Sequence, residues 1–127
     1  MNEMYAENIL DHYRNPRNFG TIVNAQVKHE ETNPLCGDDY EFYLQIDNGK
    51  IQDAKFSGDG CAISKASASM LSEFIKQKDI SELKKMNLVD VEKLLGVKIS
   101  APRVKCATLA LVAVQKGIQE FEESGKK

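Results

Sequence analysis

Cys36, Cys61 and Cys106 are the residues of this 127-residue chain best suited to metal or sulfur chemistry. A thiolate binds soft metal ions and attacks a persulfide. An odd, sparse set of cysteines argues against a disulfide framework and leaves metal binding, redox chemistry or plain burial as a small hydrophobe. Their spacings of 25 and 45 residues match no zinc-finger or ferredoxin pattern, where ligands come in short C-x-x-C pairs. Local context therefore has to discriminate. Cys36 sits in the loop Asn33-Pro34-Leu35-Cys36-Gly37-Asp38, Cys61 follows the turn Gly58-Asp59-Gly60, and Cys106 falls in the first turn of a last helix. A helix start offers free N–H groups and partial positive charge, which favours thiolate over thiol, and element ends leave a sulfur reachable. Asp38 adds an oxygen donor two residues after Cys36. Three thiolates and a carboxylate make a four-ligand set for two sulfide-bridged irons or one tetrahedral zinc. The carboxylate, a harder and weaker donor to an iron–sulfur centre, would be the labile corner, which suits a site that releases its cargo.

The elements that must position these residues follow from periodicity. Tyr5, Ile9 and Tyr13, with Leu10 beside them, predict an amphipathic helix from Asn2 to about Tyr13, ended by Asn15-Pro16-Arg17-Asn18 and Gly20. Ala25 to Thr32 reads as extended but weakly patterned. Tyr40, Phe42, Leu44 and Ile46 alternate with polar residues as a half-buried strand, and Asn48-Gly49 turns it into a second strand through Ala54 and Phe56. Ile63, Ala66, Met70 and Phe74 mark a helix to about Lys76 whose small neighbours suit close packing on a sheet. Asp79 and Glu82 resemble a capping box, and Gly96 is placed as a helix stop. Val97 to Pro102 reads as loop. The last helix, from near Arg103, buries Cys106, Leu109, Ala110, Ala113 and Phe121 and ends in a basic Gly-Lys-Lys tail. The expectation is one α+β domain over residues 1–127, with a core of about 4–121 and an antiparallel sheet.

Composition narrows the function. A hydrophobic share of 42% and a charged share of 28% are ordinary for a globular domain. A net charge of −2 gives no electrostatic reason for a nucleic acid or an anionic membrane as partner. No apolar run is long enough to span a bilayer, and the acids near the start do not resemble a signal peptide, so a cytoplasmic protein is expected.

The three cysteine segments, Asn33 to Asp38, Gly58 to Ser69 and Arg103 to Leu109, resemble those of the IscU/SufU/NifU iron–sulfur scaffold family. The opening from Tyr5 through Asp11-His12-Tyr13-Arg14-Asn15-Pro16-Arg17-Asn18-Phe19-Gly20 is similar to that family's first helix and turn. The resemblance implies a compact α+β domain whose cysteines converge at one end of a three-stranded antiparallel sheet packed with several helices. It implies that Cys36, Asp38, Cys61 and Cys106 hold a nascent [2Fe–2S] cluster that is passed to recipient apo iron–sulfur proteins. Iron would come from a donor and sulfur from a pyridoxal-phosphate cysteine desulfurase, with Cys106 as persulfide acceptor.

Two departures from the family pattern bear on this. Where the IscU branch has a metal-ligating histidine before the third cysteine, this chain has Lys105, which offers no lone pair when charged; Asp38 then becomes the fourth ligand. Lys105 could pair with Asp38 in the empty site, meet the incoming persulfide, or simply be exposed. Ile99-Ser100-Ala101-Pro102-Arg103 stands where the IscU branch has a Leu-Pro-Pro-Val-Lys peptide bound by an Hsp70-type chaperone, so the resemblance does not carry that partner over. Lysine before the last cysteine is a SufU feature, yet the SufU insertion between the second and third cysteines is missing. The second function in view is thus a zinc-dependent sulfurtransferase taking persulfide sulfur from the desulfurase. His12 and His29 are expected to be surface or packing residues.

Overall fold

The computed structural model describes residues 3–125, with side chains described from Glu7 onward. The expectations for Asn2, for the side chain of Tyr5 and for the terminal Lys126 and Lys127 lie outside the described residues. Elements run α1 (Glu3–Arg14), β1 (Val27–Asn33), β2 (Asp38–Asp47), β3 (Lys50–Asp59), α2 (Ala62–Phe74), α3 (Ile80–Leu83), α4 (Leu88–Leu95), one 3₁₀ turn (Ala101–Arg103) and α5 (Val104–Glu123). The strands form an antiparallel sheet in the order β1-β2-β3. This is the expected α+β architecture. Among the described residues no helix is long and apolar enough to cross a membrane.

Alternation in β2 works as its sequence suggests, with Tyr40, Phe42, Leu44 and Ile46 buried on the face that α2 and α5 cover. Tyr40 and Phe42 both meet Phe56 of β3, at ring centroid distances of 5.9 and 5.6 Å. Asn48 and Gly49 both take positive φ, 53° and 73°, which matches the right-handed twist of the hairpin they join. The register shifts between Gln45 and Ile46, leaving Gln52 of β3 as the extra residue of a bulge. The other edge of β3 is covered: Asn18 accepts from the Phe56 N–H (3.0 Å) and the Gly20 N–H donates to the Phe56 carbonyl (2.8 Å). The Asn15-to-Gly20 loop thus occupies a sheet edge that would otherwise be free to pair with another chain.

Helix α2 packs closely because its buried face is built from Ala66, Ala68 and four serines, 64, 67, 69 and 72. Each hydroxyl has a partner; Ser67 donates to the Ala107 carbonyl of α5 at 2.7 Å, and Ser72 to the Ser69 carbonyl at 2.7 Å. At the far end of α5, Gly117 lets the helix cross β1, since a Cβ there would lie 2.7 Å from Val27 Cγ1. Three local expectations need correction. Leu10 and Tyr13 of α1 are more than a third exposed, so its buried stripe is narrower than the periodicity suggests. Asp79 opens α3 without capping it, and the capping box belongs to α4, where Asn87 accepts from the Val89 N–H and Asp90 from the Asn87 N–H. The segment read as loop ends in the 3₁₀ turn. Gly96, at φ 76°, does stop α4.

The two histidines tie elements together. His12 is buried against α2, its Nδ1 2.7 Å from Ser69 Oγ. That oxygen also accepts the Arg17 N–H at 2.8 Å. Burial, helped by the Arg17 charge, pulls the His12 pKa below its ordinary 6.5. His29 lies between Glu31 on β1 and Glu120 on α5, each at 2.8 Å. Burial opposes its protonation, but the two carboxylates outweigh it and raise the pKa above 6.5. The linkage signs are opposite. Acidification below about 6.5 favours the unfolded chain through His12, whereas His29 contributes stability present below about 6.5 and lost as pH rises through its folded value. In metal-free protein, His12→Gln is expected to flatten the acid-side fall of the urea midpoint between about pH 7 and 5.5, and His29→Gln to steepen it. Identical slopes in all three proteins would refute both assignments.

Candidate metal centre

The site forms where the β1–β2 loop, the β3–α2 turn and the start of α5 meet. In the loop, Asn33 accepts the N–H groups of Cys36 (3.1 Å) and Gly37 (2.9 Å), and Gly37 takes φ 72°, which a residue with a side chain rarely adopts. This tight turn lifts Leu35 to 83% exposure and leaves Cys36 exposed, while Asp38, one residue beyond Gly37, is only 1% exposed. Cys106 lies beneath the loop at 2% exposure, with its Sγ 3.2 Å from Cys36 Sγ. Asn33 Nδ2 approaches Cys106 Sγ at 3.9 Å. One donor atom each from Cys36, Asp38 and Cys106 lie within 4.8 Å of one another.

The Asp38 carboxylate has two unlike oxygens. Oδ1 accepts the Cys61 N–H (3.0 Å) and the Ser64 hydroxyl (3.2 Å). Oδ2 is buried with no partner among the described residues. A buried carboxylate oxygen without a hydrogen bond is costly, and a cation bound to it would relieve that cost. Two sulfurs and one oxygen suit zinc or iron and would suit neither magnesium nor calcium, which take oxygen ligands. The donor set therefore fits the metal chemistry anticipated from the sequence.

Cys61 is placed differently. It is the N-cap of α2, and its Sγ accepts the Ser64 N–H at 3.5 Å. Its backbone joins the site through Asp38, but its sulfur is outside the group of three. Cys106 also departs from expectation. A helix start favours an accessible thiolate, yet here burial pushes the Cys106 pKa up, reinforced by Cys36, Asp38 and the charges of Cys61 and Asp38. Reachability holds for Cys36 and fails for Cys106, because the β1–β2 loop folds over the start of α5.

Residues 4–127 match the family described as the NifU-like N terminal domain. The chain belongs to that family. Among relatives of this NifU-like domain, the zinc-dependent sulfurtransferase SufU of Bacillus subtilis is 38% identical over 142 aligned positions covering 98% of this chain and 95% of SufU. That alignment exceeds the 127 residues available here, so SufU carries residues with no counterpart in this chain. The iron–sulfur cluster assembly scaffold protein IscU 1 of Archaeoglobus fulgidus is 36% identical over 124 positions, covering 97% of this chain and 80% of that protein. A solved structure from Fervidobacterium islandicum AW-1, described as a candidate iron–sulfur cluster assembly scaffold protein for the SUF system, superimposes with a TM-score of 0.79 at 30% identity over 93% of this chain and 99% of that one.

Other expected site residues of the NifU-like domain fall as follows. Lys105 is exposed on the first turn of α5; its suggested pairing with Asp38 does not form, since Oδ2 has no partner. His12 and His29 are the packing residues expected of them, remote in bonding from the cysteines. Tyr40, Ser64 and Gly60 were not foreseen. A Cβ at Gly60 would come under 3.0 Å from Asp38 Oδ1, Ser64 Oγ and the Tyr40 hydroxyl at once. Period two from Asp38 to Tyr40 on one strand, and the i+3 spacing from Cys61 to Ser64 at a helix start, were the signals available.

Proposed function

We propose that this NifU-like domain is a scaffold that assembles [2Fe–2S] clusters from iron and persulfide-derived sulfur and passes them to recipient apo-proteins in the cytoplasm. The observation that supports this best is the meeting of Cys36 Sγ, Cys106 Sγ and a carboxylate oxygen of Asp38, whose Oδ2 is buried with no partner among the described residues. In this reading Cys36, Asp38, Cys61 and Cys106 hold the cargo, and the chain itself turns over no substrate. A separate cysteine desulfurase cleaves the carbon–sulfur bond, and an iron donor supplies the metal. For the Cys106 thiolate to attack the outer sulfur of the desulfurase persulfide, with the desulfurase cysteine leaving as thiolate, the β1–β2 loop that buries it must first move aside. Each sulfur so transferred needs two electrons from an external reductant to become sulfide. With Cys36 Sγ at 3.2 Å, sulfane sulfur can also pass between the two cysteines. Cys61 contributes its sulfur by giving up the Ser64 N–H. Asp38 is the weakest donor of the four and the corner from which a recipient thiolate can take over.

One observation favours a second reading, a zinc-dependent sulfurtransferase. Three donors within 4.8 Å suit a single tetrahedral ion with ligand bonds of about 2.0–2.3 Å, and Lys105 stands where a histidine ligand would otherwise be. Zinc bound there would keep the cysteines as thiolates. The deciding experiment incubates the protein anaerobically with desulfurase, cysteine, ferrous iron and a thiol reductant, then measures iron, zinc and acid-labile sulfide. About two irons and two sulfides per cluster are expected of the scaffold. One zinc with no sulfide would establish the second reading in its place, and protein carrying neither metal would sink both.

A further inference from the structure

We infer that Tyr40 and Ser64 are positioning residues for Asp38, a buried hydroxyl pair that pins one carboxylate oxygen so that the other stays free for a metal ion. The inference rests on the reading of Cys36, Asp38 and Cys106 as metal donors. Tyr40 follows Asp38 by two residues on β2, so both side chains leave the same face of the strand. Ser64 comes from the first turn of α2, and all three are buried, at 0, 1 and 1% exposure. The Tyr40 hydroxyl lies 2.9 Å from Ser64 Oγ and has no other partner among the described residues, so its proton goes to Ser64. The single Ser64 proton can then serve Asp38 Oδ1 at 3.2 Å or the Cys61 carbonyl at 3.0 Å, and the charged acceptor makes the stronger bond. The Cys61 N–H, at 3.0 Å, completes the grip on Oδ1.

Two features separate this arrangement from ordinary core packing. The Tyr40 ring already meets Phe56, so phenylalanine would serve the core, whereas a hydroxyl at full burial costs desolvation unless it is used. The backbone also makes room for the group. Gly60 leaves the space that Tyr40 OH, Ser64 Oγ and Asp38 Oδ1 fill together. With Oδ1 held on two sides, the carboxylate cannot rotate freely, and the unpartnered Oδ2 keeps a fixed direction. Such outer-shell bonds to a ligating carboxylate are typically worth 10–100-fold in metal affinity.

The test uses the full chain with zinc(II) or cobalt(II) alone as probe. Affinity is read by competition with a chromophoric chelator, and the donor set by the d–d and thiolate charge-transfer bands of cobalt, which a change in fold stability alone does not shift. Ser64→Ala is expected to weaken binding about 10-fold or more and Tyr40→Phe by less, with the cobalt bands moved toward those of Asp38→Ala. In the Asp38→Ala background neither substitution should have further effect. Wild-type affinity and spectra in both variants would overturn the inference, as would a Tyr40→Phe effect that persists without Asp38. Should Ser64→Ala fail to fold, Tyr40→Phe, which removes a single oxygen, decides by itself. If the wild type binds neither ion, or Cys36→Ser and Asp38→Ala bind as the wild type does, the metal reading itself falls and takes this inference with it.

Discussion

Cys106→Ser is expected to abolish tight metal binding while leaving the metal-free fold close to wild-type stability. A serine hydroxyl at neutral pH stays protonated and is a poor donor to zinc or iron, whereas the thiol gives up its proton when the metal arrives. Losing a direct ligand should therefore cost more than the roughly 10–100-fold that an outer-shell partner is worth. Stability responds differently. Cys106 is 2% exposed, and serine changes its volume little. The new hydroxyl can donate to Asp38 Oδ2, which otherwise has no partner, and so offsets the desolvation it incurs. Zinc competition and urea denaturation on the same preparation separate the two quantities. A variant that binds zinc as the wild type does would remove Cys106 from the ligand set. A variant that loses several kcal/mol without any change in binding would make Cys106 a packing residue, the alternative left open by the sequence.

What the sequence made legible was whatever depends on near neighbours. Strand β2 announces itself because four successive inward positions, Tyr40, Phe42, Leu44 and Ile46, are apolar or aromatic. Strand β1 alternates just as regularly in burial, yet it reads weakly because two of its inward positions are His29 and Glu31. Those side chains are tolerable there only because Glu120 and Lys116, 91 and 85 residues further on, reach back from α5 to meet them. No local pattern encodes such a partner. The same limit explains the caps. Asp79-x-x-Glu82 and Asn87-x-x-Asp90 look alike as strings, and only the second closes both bonds.

The site divides along the same line. Its cysteines were recognisable from loop, turn and helix-start context, and Asp38 from its distance to Cys36. Their mutual placement was not, since it depends on a loop between two strands folding over the start of a helix 70 residues away. That fold-over makes Cys106 buried where a helix start suggested exposure, and raises the proton affinity where the helix dipole suggested the reverse. The local dipole contributes about a kcal/mol or less at an exposed helix end, which burial and two neighbouring acidic groups readily outweigh. The unlike oxygens of Asp38 belong to the same class of tertiary fact. One is spent on the backbone of Cys61 and the hydroxyl of Ser64, and the other has no partner among the described residues.

Gly60→Ala should be the most disruptive single methyl added to this site. Gly60 is not among the residues with positive φ, so glycine is required there for room and not for backbone freedom. A methyl would press on Asp38 Oδ1, Ser64 Oγ and the Tyr40 hydroxyl together, and none of the three has anywhere to retreat, each being buried. Overpacking of this kind costs about 1–3 kcal/mol, and separating the buried hydrogen bonds it displaces adds about 1–3 kcal/mol more. Asp38 must move for the methyl to fit, so metal affinity should fall together with stability. The origin of the cost can be isolated by making room elsewhere. Ser64→Ala removes one colliding oxygen and Tyr40→Phe another, so each double variant with Gly60→Ala should be less destabilised than the sum of its single changes, by about 0.5–3 kcal/mol. Urea denaturation of the three single and two double variants provides the measurement. Strict additivity in both cycles would mean that the methyl acts on the turn itself, leaving Gly60 with no part in holding the carboxylate in place.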